Sequence, residues 1–415
     1  MNGTSPRPRK PGPPPRPPLR DRDIRGLKYF RLLRALLERL HQHKDCPNRD
    51  LHYDEYVSLL LLYFLNPVLT SLRGIQQASG LRNVQRKLGV PRASLGSLSE
   101  AQGVFDPELL GDIFRELASE TAAQDGPRRP AGLSEELAIL ASDGTLLRAL
   151  PRMTWAVWLD DAHRAAKAHL QFDILRSVPT AAVATDGNAS ETAVLRASLE
   201  SGKLYVIDAA LTGYSFLEEI REAGSFFVGR LHENAVYETL EDRALTQADR
   251  AAGAVFDRVV RLGCAAKREA LSAPVRLVRV HVKSPPPRGL APRRSKVSSK
   301  KTFRHRPEEF DLLLATTLLE PPAEVIATIY RWRWTIEIFF RWFKCVLGFG
   351  HLLSESREGV QILVYCALIV SLLITLWTGR KPTKRTLEMI QMYFQGWATL
   401  DEVEAHIAAL QKTED

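Results

Sequence analysis

Val360 to Trp377 reads VQILVYCALIVSLLITLW, eighteen residues without a single charge. A helix of this composition is apolar on every side, so it must be covered all round, by lipid or by protein. Eighteen residues barely span a bilayer, and Gln361, Ser371 and Thr375 interrupt the run, which stands alone near the end of a soluble-looking chain. The expected reading is a fully buried core helix. That demands a sizeable core around it, and the chain can supply one. Of 415 residues, 45% are hydrophobic and 25% charged, an ordinary globular balance that excludes wholesale disorder, a fibrous repeat and a polytopic membrane protein. At about 150 residues per domain, this length implies two or three domains, or one enlarged core with insertions.

Lys and Arg exceed Asp and Glu by 57 to 48, a net charge of +9 that favours polyanionic partners without naming one. The excess is unevenly placed. The first twenty residues hold eight prolines and five basic residues, so residues 1–22 read as a disordered basic arm with no secretory h-region. A second cluster, KSPPPRGLAPRRSKVSSKKTFRHR from Lys283 to Arg306, holds nine Lys/Arg and no acid. Arg293, Arg294, Lys300 and Lys301 form its centre, and a loop of one sign suits phosphate contacts. The four cysteines, Cys46, Cys264, Cys345 and Cys366, show no CxxC spacing, which suits a reducing compartment. His41, His43 and Cys46 lie close in HQHKDC but lack a paired second half, so a polar helix end is expected there.

Hydrophobic periodicity divides the rest. Residues 23–120 carry helical repeats such as KYFRLLRALLERL and DEYVSLLLLYFL. Within them, short segments broken at Gly80, Gly89 and Pro91 place Arg82, Gln85, Arg86 and Lys87 on the second of two helices, as a helix-turn-helix reader of DNA would. QDGPRRPAG marks a linker. After it, LAILASDG, WAVWL, AHLQFDIL, LYVIDA and SFFVGRL read as strands over residues 133–230, with a helix at ASETAVLRASLES, giving an α/β or α+β core with a central sheet. AVFDRVVRL, PVRLVRVHV and FDLLLATTLL predict a separate, mostly β unit over 231–320. Helix returns over 321–380, and 381–415 forms a helical tail.

The chemistry concentrates in YRWRWTIEIFFRWFK, Tyr330 to Lys344. On one continuous helix at about 100° per residue, Arg333, Glu337 and Lys344 fall within about 60° of Tyr330, opposite a stripe of Trp332, Ile336, Phe339, Phe343 and Val346. Two more carboxylates are expected where strands end: Asp143 in ILASDG and Asp208 in LYVID. Asp143, Asp208 and Glu337 offer hard oxygen ligands, which suit two Mg²⁺ or Mn²⁺ ions and an in-line phosphoryl displacement.

Tyr330, Arg333, Glu337 and Lys344 match the Y-(2)-R-(3)-E-(6)-K signature of bacterial insertion-sequence transposases with an RNase H-like DDE core, and the chain resembles that group over about residues 50 to 380. Asp143-Gly144-Thr145 matches the family's first Asp context, and GFGHLLSESREGVQILVYCALI resembles its tail. The resemblance implies an RNase H-like α/β core, a mixed sheet flanked by helices, interrupted by the β insertion and preceded by the helical DNA-binding domain. It implies Asp143, Asp208 and Glu337 as the catalytic metal-binding triad, and Tyr330, Arg333 and Lys344 as contacts to transposon-end DNA. Cleavage at inverted-repeat ends and strand transfer into target DNA would follow, in a DNA-bound homodimer at the bacterial nucleoid. One departure stands out. The family often continues its second Asp as Asp-Arg-Gly-Tyr, whereas Asp208 is followed by Ala-Ala-Leu-Thr; Asp186 in ATDGNASE is the rival position. A nuclease without strand transfer and an inactive DNA-binding descendant are the alternative readings.

Overall fold

The computed structural model describes residues 37–41, 50–149, 152–158, 160–264, 269–283, 309–346 and 352–411. The basic arm, His43 and Cys46, and most of the basic loop, including Arg293, Arg294, Lys300 and Lys301, lie outside the described residues. The chain forms two units, residues 1–101 with 388–415 and residues 102–387.

The first unit is helical. In α1 (Tyr53–Leu65) ten of thirteen residues are buried. Ser71 caps α2 (Leu72–Ser79) by accepting from Gly74 N at 3.2 Å, and α3 (Arg82–Leu88) ends at Gly89, whose φ of 73° a side chain would resist. Ile75 and Ala78 of α2 and Val84 of α3 are fully buried, while Arg82, Arg86 and Lys87 are exposed. The two helices are joined across Gly80 and Leu81, with those three basic residues outward and Gln85 turned back, its Nε2 donating to Ser79 O at 2.9 Å. Helix α4 (Leu95–Val104) leads out of this unit.

The second unit is built on one mixed sheet. Its strands are β1 (Ala138–Arg148), β2 (Val157–Trp158), β3 (Asp160–Asp173), β4 (Val178–Asp186), β5 (Lys203–Ile207), β6 (Phe226–Leu231), β7 (Tyr237–Asp242), β8 (Ala254–Cys264), β9 (Glu269–Ala270), β10 (Val275–Lys283) and β11 (Glu309–Thr316). The order is β2-β3-β1-β5-β6-β11-β10-β8-β7, with β4 on the other side of β3 and β9 on β8. β1, β3 and β4 are antiparallel, whereas β5 pairs parallel to β1 and β6 parallel to β5. Parallel pairing needs crossovers, which α6 (Glu191–Ala197) and α7 (Tyr214–Glu222) serve. Their apolar faces meet the sheet through Leu195, Phe216, Leu217 and Ile220 against Tyr205, Ile207 and Phe227.

The insertion departs from expectation. Its strands do not form a separate unit: β11 hydrogen-bonds antiparallel along β6, from Leu313↔Leu231 to Thr316↔Val228, and β10, β8 and β7 continue outward from it. An open edge at β6 would leave unpaired backbone groups, and the insertion satisfies them by extending the same sheet. Three strands escaped the sequence reading, the two-residue β9 among them. β4, VPTAAVATD, is built of small residues without a clear alternation, and β7, YETLED, is an edge strand exposed along nearly its whole length.

Helices α5 (Pro107–Glu120), α9 (Ala323–Trp332), α10 (Trp334–Val346) and α11 (Arg357–Thr378) complete this unit, and α12 (Lys384–Gln395) and α13 (Leu400–Gln411) close the chain. α11 is long and apolar enough to cross a membrane, yet 89% of its apolar window is buried inside the protein. It packs on α5, where Gly111 lets the Tyr365 ring approach; a Cβ there would stand 2.9 Å from Tyr365 Oη. Gln361, the polar residue that argued against a membrane span, binds the outer edge of β4. Its Oε1 accepts from Ala184 N at 2.6 Å and its Nε2 donates to Ala182 O at 3.2 Å.

Candidate active site

Asp143 does not end a strand, as the sequence suggested. β3 pairs with β1 all the way from Leu140↔Asp173 to Arg148↔Ala165, so β1 continues five residues beyond Asp143. The parallel partner β5 stops earlier, its last pair with β1 being Ala141↔Val206. Asp143 therefore sits where β1 has lost its neighbour on one side, and Asp208 sits directly after the end of β5. The register of the parallel pair places the two carboxylates at the same end of the sheet.

Each is tied locally. Asp143 Oδ1 accepts from Gly144 N at 2.7 Å, and Asp208 Oδ1 from Ala209 N at 2.8 Å. Asp208 opens a 3₁₀ turn, Ala209–Leu211, and Thr212 pins that turn by donating to Ala209 O and Arg230 O at 3.0 and 2.9 Å. A Cβ on Gly229 would lie 2.8 Å from the Thr212 methyl, so glycine is required for this close approach. The Ala-Ala-Leu-Thr sequence thus gives Asp208 a rigid seat by its own route. Asp186 Oδ1 likewise accepts from Asn188 N at 2.9 Å in the turn after β4.

The signature segment is two helices, not one. α9 ends at Trp332 and α10 starts at Trp334. At the joint, Arg333 N donates to Tyr330 O and Ile336 N donates to Arg333 O, at 3.1 and 3.2 Å. These three-residue steps turn the backbone more tightly than an α-helix, so a uniform 100° advance misplaces side chains across the joint. Tyr330, Arg333 and Glu337 still turn inward. Tyr330 Oη donates to Asp208 Oδ1 at 3.1 Å; Arg333 Nη2 donates to Glu337 Oε1 at 2.7 Å, and its Nη1 lies 4.0 Å from Asp143 Oδ2. Lys344 is exposed and has no described tie to the other three. Of the expected apolar stripe, Ile336, Phe339 and Phe343 are buried and Trp332 is half-buried; Phe339 lies against Phe172 of β3, ring centroids 5.2 Å apart.

Arg333, only 8% exposed, is the electrostatic hub. Burial alone would lower its pKa, but Tyr330, Asp208 and Glu337 together raise it. Burial lifts the Asp143 carboxyl to about 6, and Glu191 and Glu337 push the same way against the Gly144 amide and Arg333. Burial also pushes Asp208 up, yet the Ala209 amide, Arg333, Tyr330 and Arg230 outweigh it and hold the carboxyl below its ordinary value. One rigid cation thus serves several carboxylates, which low-dielectric surroundings reward.

The sequence reading missed Lys167 and Glu191. Lys167 Nζ lies 2.6 Å from Glu191 Oε1, both side chains are largely buried, and the pair packs on Gly144 beside Asp143. A Cβ at 144 would stand 2.7 Å from Lys167 Cε and 2.9 Å from Glu191 Oε1, which explains why glycine follows Asp143. Glu191 looked like an ordinary acidic residue in a helix's first turn; only the register across β3 reveals its place.

The donor set of Asp143, Asp208 and Glu337 is all carboxylate oxygen, the chemistry that hard divalent cations take. As placed, Arg333 and Tyr330 engage these oxygens, and no three His, Cys, Asp or Glu among the described residues stand close enough to enclose a metal ion. The expected single cage is therefore a set of carboxylates arranged around a guanidinium.

Residues 135–373 match the family model described as "Transposase DDE domain". The chain is 27% identical over 213 residues to a protein of Sinorhizobium fredii that carries the transposase designation y4zB, spanning 51% of this chain and 53% of that one. It is 31% identical over 121 residues to the probable transposase for insertion sequence element IS5377 of Geobacillus stearothermophilus, covering 26% and 32%. The alignments thus span about half the length, or less, of these curated relatives. Among solved structures, a piggyBac transposase synaptic complex with hairpin DNA superposes with a TM-score of 0.40 at 10% identity, covering 95% of this chain and 83% of that one.

Proposed function

The chain belongs to the transposase DDE-domain family, and from that membership and the site geometry we propose that it is an insertion-sequence transposase that cuts DNA at transposon ends and joins the freed 3′-hydroxyl to target DNA. The observation that carries this reading is that the segment Tyr330–Glu337 meets the strand acids at one place, Tyr330 on Asp208 and the buried Arg333 on Glu337 and near Asp143. The family generally uses divalent metal ions. In this chain the three carboxylates would hold them, two Mg²⁺ with Mn²⁺ as a substitute, and the ions would supply activation of the attacking oxygen and stabilisation of the leaving one.

The chain's own groups do the rest. Tyr330 holds the Asp208 carboxylate in place through its hydroxyl. Arg333 balances charge among the acids and, with Lys344, positions backbone phosphates. The exposed Arg82, Arg86 and Lys87 of α3 read end DNA, and the basic loop around Arg293, Arg294, Lys300 and Lys301 grips its backbone in a salt-sensitive way. Two ends are brought together in a DNA-bound homodimer, acting on nucleoid DNA in the cytoplasm.

Incubation with Mg²⁺ and a duplex carrying the inverted repeats that flank the gene tests the proposal. Joined products support it. Cut-only products point instead to a nuclease, and a bound but unaltered duplex to an inactive DNA-binding protein. Deletion of residues 284–306 is expected to weaken binding and flatten its salt dependence; an unchanged slope removes the loop from the interface.

A further inference from the structure

The turn between β11 and α9, residues 317–322, delivers Tyr330 and Arg333 to the site, and it is held by buried charge from the insertion. Arg276 of β10 is 1% exposed, and its Nε and Nη2 donate to the two oxygens of Asp257 of β8 at 2.8 and 2.7 Å. Its remaining nitrogen, Nη1, donates to the carbonyls of Leu318 and Leu319 at 3.5 and 3.3 Å, and to that of Pro321. A buried, bidentate arginine with a third set of acceptors fixes direction as well as charge.

Asp249 acts one step further along. It lies in α8 (Gln247–Ala251), is 3% exposed, and closes that helix's own capping box, its Oδ2 accepting from Thr246 N and Oγ1 at 2.9 and 2.7 Å. Its other oxygen, Oδ1, accepts from Glu324 N of α9 at 2.9 Å. The N-cap residue of α9 is Pro322, which supplies no side-chain cap. The helix bearing Tyr330 therefore borrows its cap from the insertion, and one carboxylate ties two helix starts together.

We propose that Asp249, supported by the Arg276–Asp257 pair, is a positioning residue that sets the tilt of α9 and so places Tyr330 and Arg333 against Asp208, Glu337 and Asp143. The lever arm makes this matter. Tyr330 lies about 10 Å along the helix from its start, so a tilt of about 10° moves it by nearly 2 Å, and misplacement by about 1 Å can cost a reacting centre about a hundredfold. This inference rests on the reading of the site as a DNA-cutting centre, and its test includes a readout that does not.

The full chain is compared as wild type, Asp249→Ala, Asp249→Asn and the double variant Asp249→Ala with Pro322→Asp. Amide hydrogen exchange is followed across residues 323–337, alongside end-DNA affinity and single-turnover cleavage with Mg²⁺. Asp249→Ala is expected to speed exchange across Glu324–Arg333 by about tenfold or more, with β1 and β5 unchanged. Cleavage should fall by about tenfold to a hundredfold at nearly unchanged affinity. Asparagine keeps one acceptor oxygen, enough for Glu324 N but not also for Thr246 N, so it restores both in part. The double variant caps α9 locally without tying it to the insertion, so it recovers first-turn exchange but not cleavage. Unchanged exchange at 330–333 in Asp249→Ala, or full recovery of cleavage in the double variant, overturns the proposal. If the alanine variant does not fold, Arg276→Lys, which keeps the charge and loses the contacts to the turn, is read the same way. If wild type cuts no DNA, the functional reading fails, while the exchange data still decide whether Asp249 holds α9.

Discussion

Two helical segments rich in large apolar side chains lie close in sequence and use their polar residues oppositely. α11 is buried on all sides, and its Gln361 satisfies backbone groups of β4. The α9–α10 pair buries one face and leaves Trp334 and Ile338 44% and 54% exposed, while its Tyr330, Arg333 and Glu337 engage one another and the strand carboxylates. In α11 a polar group serves the fold; in α9–α10 polar groups serve one another at some cost to it. Lifting Asp143 to about 6 is that cost made visible, since its charged form is disfavoured where it stands.

This contrast is breakable by substitution. Glu337→Gln changes little shape, so melting should move little, yet DNA cleavage should fall by at least about a hundredfold, the scale of losing one electrostatic contact to a transition state. Retained cleavage would remove Glu337 from the chemistry. Gln361→Leu should do the reverse. Leaving Ala184 N and Ala182 O unpaired costs about 1–3 kcal/mol in urea denaturation, with end cleavage by the remaining folded protein near normal. A variant as stable as wild type would show that water or a shifted helix replaces the amide. Gly111→Ala forces Tyr365 away from α5; the helix propensity gained, about 1 kcal/mol, offsets part of the overpacking, leaving a net loss of about 1 kcal/mol.

A milder test spares both helices. Burial, with Lys167 nearby, lowers the His169 pKa to about 4, and its Nε2 pairs with Thr185 Oγ1 at 2.9 Å. Between the unfolded value of 6.5 and about 4 the unfolded chain takes up a proton that the folded one refuses, so stability is lost as pH falls through that window. His169→Gln should lose less stability than wild type between pH 7 and 5; equal slopes would mean another group dominates. The smallest effect belongs to Ile338→Ser, expected within about 0.5 kcal/mol because the side chain is already mostly in water.

What the sequence revealed follows the same divide. α11 was legible because eighteen uncharged residues leave few structural options; Asp143 and Glu337 stood out because their neighbours resemble a family pattern, and Asp208 only because it follows an apolar run. The bend at Arg333 was not legible: composition on either side is equally helical, and only the three-residue hydrogen bonds mark it. Lys167 and Glu191 were hidden because their nearness to Asp143 depends on strand register, which a linear reading does not carry. The insertion's longer strands β8, β10 and β11 were recognised, but their attachment at β6 was not, since edge pairing leaves no local signature.

The Gln361 contact also governs how the sheet terminates. One flank is capped where α11 grips β4; at the far flank β7 carries Glu238, Glu241 and Asp242, two of them paired with Arg261 and Arg258. A ribbon sealed by an amide at one border and studded with charge at the other resists accretion of foreign strands.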